Sequence, residues 1–355
     1  MSVSYQAVQW NRQKKIYDRL MVGGVVLYMG LFVGVGFLLN PTATAESLLI
    51  RGFATAAFLL LHIILSIGPL CRIDARFLPL LYNRRHMGVT MFILALAHGA
   101  FSILQFHAFG KLNPLVSVLV SNGRYDSLSQ FPFQPLGAAA LAILFLMAAT
   151  SHDFWLANLS APVWKALHML VYVAYGLIVL HVALGILQAE TSPLLSVFLG
   201  LGMVWILGLH IVAGRKEAAT DREVGSTNAD GLVDVCGVDD IRENRGKVVT
   251  VSGERLAVFR YDGKISAMSN ACQHQNGPLG EGKIVDGLVV CPWHGFQYKP
   301  NCGASPEPFT EKIPTFRVAV ADGRVLVDPK PLPPGTEVEP ALIEGGSAQG
   351  GQPHA

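Results

Sequence analysis

Residues 271–279 read Ala271-Cys272-Gln273-His274-Gln275-Asn276-Gly277-Pro278-Leu279, and residues 291–295 read Cys291-Pro292-Trp293-His294-Gly295. Sixteen residues separate His274 from Cys291, so two short Cys-and-His units fall on two loops of one small region. Together Cys272, His274, Cys291 and His294 offer two thiols and two imidazoles, a metal-ligating set. Two chemistries use it. A structural zinc takes Cys2His2 in a tetrahedral shell. A two-iron cluster takes two thiolates on one iron and two imidazoles on the other. The cluster needs that mixture, because thiolates stabilise ferric iron while neutral imidazoles raise the potential of the iron that is reduced.

Outward from these loops, alternation predicts short strands over 247–251, 256–261, 265–268, 288–290 and 317–320. Asp262-Gly263, Asp286-Gly287 and Asp322-Gly323 are hairpin turn pairs. A small all-β domain over 231–330 therefore carries the loops. The stretch 331–355, rich in Pro, Gly and acidic residues, is expected to be a disordered tail.

The tight Cys-Pro-x-His-Gly loop, with Gly277-Pro278-Leu279 after the first unit, resembles the Rieske family along this whole domain. The resemblance implies a [2Fe–2S] cluster held by Cys272, His274, Cys291 and His294. Rieske proteins of the cytochrome bc complexes add two cysteines that bridge the loops. The corresponding positions here are Gly277 and Trp293, so the domain resembles the ferredoxin type. A domain without that disulfide is compatible with a reducing cytoplasm. High-potential members also carry a serine and a tyrosine where this chain has Phe296 and Tyr298. Loss of the serine implies a low-to-middle potential within the roughly −150 to +300 mV Rieske range. The three remaining cysteines, Cys71, Cys236 and Cys302, read as buried small side chains or spectators.

Only 15% of the 355 residues are charged and 51% are hydrophobic, against about 25% charged in soluble domains. The apolar residues cluster before about residue 213. A membrane-spanning helix needs about 20 of them, and six candidates stand at 20–39, 52–71, 87–109, 134–151, 163–188 and 193–213. Ala43-Thr44-Ala45 resembles a signal cleavage site, but the preceding run is longer than a signal core, so it reads as a retained helix. The expected organisation is an all-α six-helix membrane bundle over 1–214, a linker over 215–230, and the β domain. Arg12, Lys14, Lys15, Arg19, Arg72, Arg76, Arg84, Arg85, Lys165, Arg215 and Lys216 fall on one side, against Arg51, Lys111 and Arg124 on the other. The positive-inside rule makes the first side cytoplasmic. Both termini and the Rieske domain then lie in the cytoplasm, and the protein is expected in the inner (plasma) membrane in contact with lipid. Helices three and five run parallel. No basic block or basic–aromatic pattern suggests nucleic acid as a partner.

Ionisable residues inside a bilayer are expensive and usually functional. This half holds His62, His86, His98, His107, His152, His168, His181 and His210. Neutral imidazole is an axial ligand of haem iron. His86 and His98 are 12 residues apart on helix three, and His168 and His181 are 13 apart on helix five. These spacings are roughly 18 and 20 Å along the helices. With the helices parallel, His98 matches His181 toward the outer side and His86 matches His168 toward the cytoplasm. Neither spacing is a whole number of turns, so alignment of both levels needs tilt or a local bulge. Arg84 and Arg85 either contact haem propionates or anchor the helix. The other histidines suit packing or interfacial roles.

The segments Leu81-Tyr82-Asn83-Arg84-Arg85-His86-Met87-Gly88-Val89, Ala97-His98-Gly99, Trp164-Lys165-Ala166-Leu167-His168-Met169-Leu170-Val171-Tyr172 and Leu180-His181 resemble the ferric-reductase-like transmembrane domain. Ser66-Ile67-Gly68-Pro69-Leu70 fits the end of its second helix. The superfamily includes ferric reductases, NADPH oxidases and the haem-bearing membrane subunit of bacterial methionine sulfoxide reductase systems. The resemblance implies b-type haem, one or two, ligated by His98, His168 and His181. The bacterial subunit has arginine in the region of His86.

Ferric reductases and NADPH oxidases append a flavin and nicotinamide module, but no G-x-G-x-x-G fingerprint follows a strand here. The Rieske domain takes that place. The expected activity is an oxidoreductase-type electron relay. A cytoplasmic donor, a reductase or a ferredoxin, reduces the cluster. Haem then passes electrons toward a quinone, a periplasmic redox partner or ferric iron. Two alternatives stand beside it: quinol-linked flow in the reverse direction, and a redox sensor whose cluster state controls partner docking. A Rieske oxygenase is excluded, because no soluble segment holds the two-histidine, one-carboxylate iron site it needs.

Overall fold

The computed structural model describes residues 12–159, 161–189, 193–222, 227–274, 276–293 and 295–343. The chain divides into two compact units. One holds residues 10–70 and 83–212, and the other joins Cys71–Tyr82 to the chain from Ala213 onward.

The helical part runs α1 (Arg12–Leu39), α2 (Ala45–Ile73), a 3-10 stretch over Ala75–Asn83, α3 (Arg84–His107), α4 (Pro114–Val120), α5 (Gln134–Ala149), α6 (Asp153–Asn158), α7 (Ala161–Met169), α8 (Val171–Leu184), α9 (Ile186–Ala189) and α10 (Pro193–Arg222). Among the described residues five stretches are long and apolar enough to cross a bilayer: Lys14–Leu39, Ala45–Ile73, Arg84–His107, Val163–Gln188 and Pro193–Ala219. The fourth of the six expected spans is the short one. α5 has 16 residues, about 24 Å at helical rise, against a hydrocarbon core of about 30 Å. α5 packs between α3 and α8. Leu61, Ile67 and Ala174 lie in the interior, while Leu20, Val26, Leu38, Leu39, Leu201 and Val204 face outward. An apolar exterior of that extent suits contact with lipid.

Two boundaries differ from the sequence reading. The fifth helix is not continuous. Leu170 is a turn residue whose N–H bonds to the Leu167 carbonyl, and Gly185 separates α8 from α9. The turn at Leu170 falls between His168 and His181. In addition, the linker expected over 215–230 is helical as far as Arg222, because α10 continues past its apolar run. Thr44 starts α2, its hydroxyl accepting from the Ser47 N–H, so the cleavage-like tripeptide is a helix entry.

The β domain contains β1 (Val233–Gly237), β2 (Arg245–Val251), β3 (Glu254–Tyr261), β4 (Lys264–Ser269), β5 (Lys283–Val285), β6 (Leu288–Val290), β7 (Gln297–Tyr298), β8 (Thr315–Phe316), β9 (Val318–Ala321), β10 (Arg324–Val327) and β11 (Ala341–Leu342). One antiparallel sheet has the order β1-β10-β9. The larger has the order β11-β4-β3-β2-β5-β6-β7, with β8 also paired to β4. Asp262-Gly263, Asp286-Gly287 and Asp322-Gly323 turn with both residues at positive φ, as does Ser252-Gly253, the type I′ geometry that matches strand twist. Val249, Leu256, Val258 and Phe316 fill one core, and Phe259, Met268, Leu279 and Tyr298 fill a second beneath the metal loops.

The tail expected to be disordered is corrected over 331–343. β11 pairs antiparallel with β4, the Leu332 N–H bonds to the Thr315 carbonyl, and the Val338 N–H bonds to the Asn301 carbonyl. The edge of β4 supplies the partner that the composition of the segment does not reveal. Residues 344–355 lie outside the described residues.

Candidate cofactor sites

The loop after β4 carries Cys272 and His274, and the loop after β6 carries Cys291. His294 lies outside the described residues. Both thiols are buried. The first loop closes through the Cys272 N–H to the Gly277 carbonyl (2.9 Å) and the Asn276 N–H to the Cys272 carbonyl (2.6 Å). The second closes through the Cys291 N–H to the Phe296 carbonyl (2.8 Å) and the Gly295 N–H to the Cys291 carbonyl (3.0 Å). Backbone hydrogen bonds thus fix the positions of both cysteines. Gly277 has no room for a side chain. A Cβ there would stand 2.7 Å from Cys291 Sγ and 3.2 Å from the Trp293 ring. The two positions that carry the bridging cysteines in other Rieske proteins are therefore adjacent here, as a Gly–Trp contact.

The His274 ring stacks on Phe296, with centres 5.4 Å apart and planes 6° from parallel. Tyr298 accepts the Gln273 N–H at 3.0 Å, and its hydroxyl lies 3.4 Å from Cys272 Sγ. Burial, followed by the Cys272 sulfur, pushes the phenol pKa up, so it stays protonated and donates toward that sulfur. Cys236, by contrast, is a packing thiol whose pKa burial pushes up to about 11. Two buried thiols, the His274 imidazole on the first loop and a side-chain-free cradle at Gly277 fit a [2Fe–2S] cluster. Cys302 is buried nearby in sequence but makes no part of this set.

In the helical unit, His98 of α3 faces His181 of α8, with ring centres 6.3 Å apart and planes at 77°. The Nδ1 of His98 donates to the Ile50 carbonyl (3.1 Å), and that of His181 to the Phe133 carbonyl (2.9 Å). A carbonyl only accepts, so both protons sit on Nδ1 and both Nε2 lone pairs remain for a metal. A first-row metal lies about 2 Å from an imidazole nitrogen, so two rings on one metal have centres about 6 Å apart. The ring separation and the tautomers fit a haem iron between them. Gly137 of α5 makes the approach possible, since a Cβ there would meet His181 Nδ1 at 2.7 Å.

His168 of α7 donates from Nδ1 to the Trp164 carbonyl (3.0 Å) and stacks on the Trp164 ring at 3.8 Å. The Ser151 hydroxyl lies 3.5 Å from its Nε2, but that hydroxyl's proton goes to the Met147 carbonyl at 2.7 Å. His86 of α3 donates from Nδ1 to the Asp18 carboxylate of α1 (2.9 Å). His86, Arg85, Thr90, Ser151 and His152 line a cavity of about 510 Å³, within the 300–1,000 Å³ usual for ligand sites. The anchoring partners Asp18, Ile50 and Phe133 carry no sequence signal, because each lies 48 or more residues from its histidine.

The remaining histidines have structural partners. His62 bonds to the Phe58 carbonyl and the Tyr175 hydroxyl, His107 to Ser117, and His210 to Tyr172. His152 caps α6 by accepting the Phe154 N–H.

A buried dithiol site with an imidazole in one unit, and one pair of facing histidines in an apolar helical unit, together imply a membrane electron-transfer protein. Comparison with known families agrees. The Rieske [2Fe-2S] domain matches residues 231–317, and the ferric reductase like transmembrane component matches residues 51–179. The chain is 32% identical over 102 residues to the ferredoxin component of the alkene monooxygenase system of Xanthobacter autotrophicus, covering 28% of this chain and 84% of that protein. It is 30% identical over 97 residues to the ferredoxin component of the naphthalene 1,2-dioxygenase system of Pseudomonas putida, covering 27% and 93%. Among solved structures, the ferredoxin of carbazole 1,9a-dioxygenase from Nocardioides aromaticivorans matches at 25% identity and a TM-score of 0.27, covering 28% and 98%. The chain belongs to the Rieske ferredoxins through its C-terminal domain, joined to a ferric-reductase-like transmembrane component.

Proposed function

We propose that this chain relays electrons, one at a time, from a cytoplasmic donor through its Rieske domain to b-type haem in the membrane, and on to an acceptor at the outer face. The observation that carries the reading is the His98–His181 pair, facing at 6.3 Å with both Nδ1 atoms anchored on backbone carbonyls. When bound, the cluster and the haem each supply reversible one-electron redox chemistry. The chain's own residues position and insulate them. Cys272, His274, Cys291 and His294 hold the cluster, His98 and His181 hold one haem, and His86 with His168 mark a second level. Arg85 lines the cavity beside His86, where it suits a propionate.

Orientation follows from charge, with both termini and the Rieske domain cytoplasmic and the protein in the inner membrane. The grouping of Cys71–Tyr82 with the Rieske domain in one unit supports a common side for both. The apolar exterior supports a six-helix bundle with α5 as its short fourth member. The donor class is a reductase or ferredoxin, and the acceptor class is a quinone, a periplasmic redox protein or ferric iron.

Haem content of purified protein, by pyridine haemochrome, tests this first. About two haems per chain support both levels, and about one supports His98 with His181 alone. None, in protein that retains its cluster and was expressed with adequate haem, overturns the relay and favours the redox sensor. His98→Ala and His181→Ala should each remove the same haem and leave the cluster's electron paramagnetic resonance signal intact. Loss of different haems would break the pairing.

A further inference from the structure

Each of the four helical-unit histidines assigned to haem donates from Nδ1, but the acceptors differ in kind. His98, His168 and His181 rest on peptide carbonyls at 2.9–3.1 Å. His86 rests on a carboxylate, with Nδ1 2.9 Å from Asp18 Oδ2 and 3.1 Å from Oδ1. Asp18 is fixed from a second side by the buried Asn83, whose Nδ2 donates to Oδ1 at 2.5 Å. Asp18 stands on α1, outside the 51–179 stretch matched by the transmembrane family.

A carboxylate draws the Nδ1 proton more strongly than an amide oxygen and makes the far nitrogen a stronger donor to a metal. A stronger donor favours ferric over ferrous iron. The negative charge acts in the same direction. Arg85, on the same cavity, opposes it, but removing the Asp18 charge raises the potential whatever Arg85 contributes.

We propose that Asp18 is a positioning residue that sets the haem of the His86 level to a lower potential than the haem held by His98 and His181. The inference rests on the proposed reading of His86 as a haem ligand. It makes electron flow from the cytoplasmic level to the outer level downhill, and so assigns the relay a direction.

The test is potentiometric titration of the haem absorbance bands in detergent-purified, full-length protein, with haem content measured alongside. Wild type should show two waves. In Asp18→Asn the lower wave should rise by at least tenfold in its reduction equilibrium constant, about 59 mV for one electron, while the upper wave stays in place. Asp18→Glu should keep the lower wave near its wild-type position. If Asp18→Asn fails to load haem, Asn83→Ala serves instead. Removing that competing donor leaves the carboxylate freer for His86, so the same wave should fall. Two haems with no shift of the lower wave in any variant that loads, or a shift of the upper wave alone, overturns the inference and leaves the relay standing. A single haem in wild type removes the His86 reading itself, and the inference with it.

Discussion

Cys272 has a side-chain hydroxyl beside its sulfur. Its sulfur lies 3.4 Å from the Tyr298 hydroxyl, which is held in line by the Gln273 N–H at 3.0 Å. Hydrogen bonds to cluster sulfur raise the potential. Phe296 fills the place of the serine of high-potential relatives and offers only a stacked face to His274. Tyr298→Phe should therefore lower the cluster midpoint by about tenfold in equilibrium constant, about 59 mV, with cluster content unchanged. Protein-film voltammetry checks this, and an unchanged midpoint would show that the hydroxyl is only a brace for the loop. The cysteine and histidine loops were legible in the sequence because spacing within a loop is local. The facing of His98 and His181 was legible because helix rise is regular and the two helices were expected to run parallel. Asp18 beneath His86 was not legible, because nothing in sequence ties positions 68 residues apart.

At the scale of elements, the ordering of 331–343 depends on neighbours and not on the segment's own composition. A segment rich in Pro and Gly lacks the apolar surface to fold alone. Here it lies along an existing sheet edge, where β11 meets β4 and Leu332, Val338 and Ile343 donate backbone hydrogen bonds. Ile343 also packs against the core that contains Val258 and Phe316. Truncation after Lys330 should expose that edge and cost the domain about 1–3 kcal/mol. For a domain of this size that is several degrees of melting temperature. Thermal loss of the cluster's visible absorbance measures it. Equal melting of truncated and intact protein would mean that the pairing contributes no net stability.

Across the whole molecule, charge organises the unit that joins the Rieske domain to the end of α10. Asp221 receives both Nε and Nη2 of Arg255 at 2.7 and 2.6 Å, and Arg72 bonds to Glu217 at 2.5 Å. The bonds from Arg255 hold the Asp221 carboxyl below its usual range. The sign follows directly. A depressed folded-state pKa means that the contribution is present in full above the ordinary carboxylate range near 4 and fades as pH falls through the folded value. These groups are partly exposed, so the contribution is small and screened by salt. Its effect is better read in kinetics than in melting. The Arg255–Asp221 pair ties the β domain to the C-terminal end of α10, an attachment on which the proposed relay would depend. Stopped-flow reduction of haem by the pre-reduced cluster should slow in Arg255→Glu, and in wild type as salt rises or as pH drops below about 4. The variant should lose the salt dependence that wild type shows. Equal rates in both proteins at every ionic strength would mean that the cluster reaches the haem without this anchor.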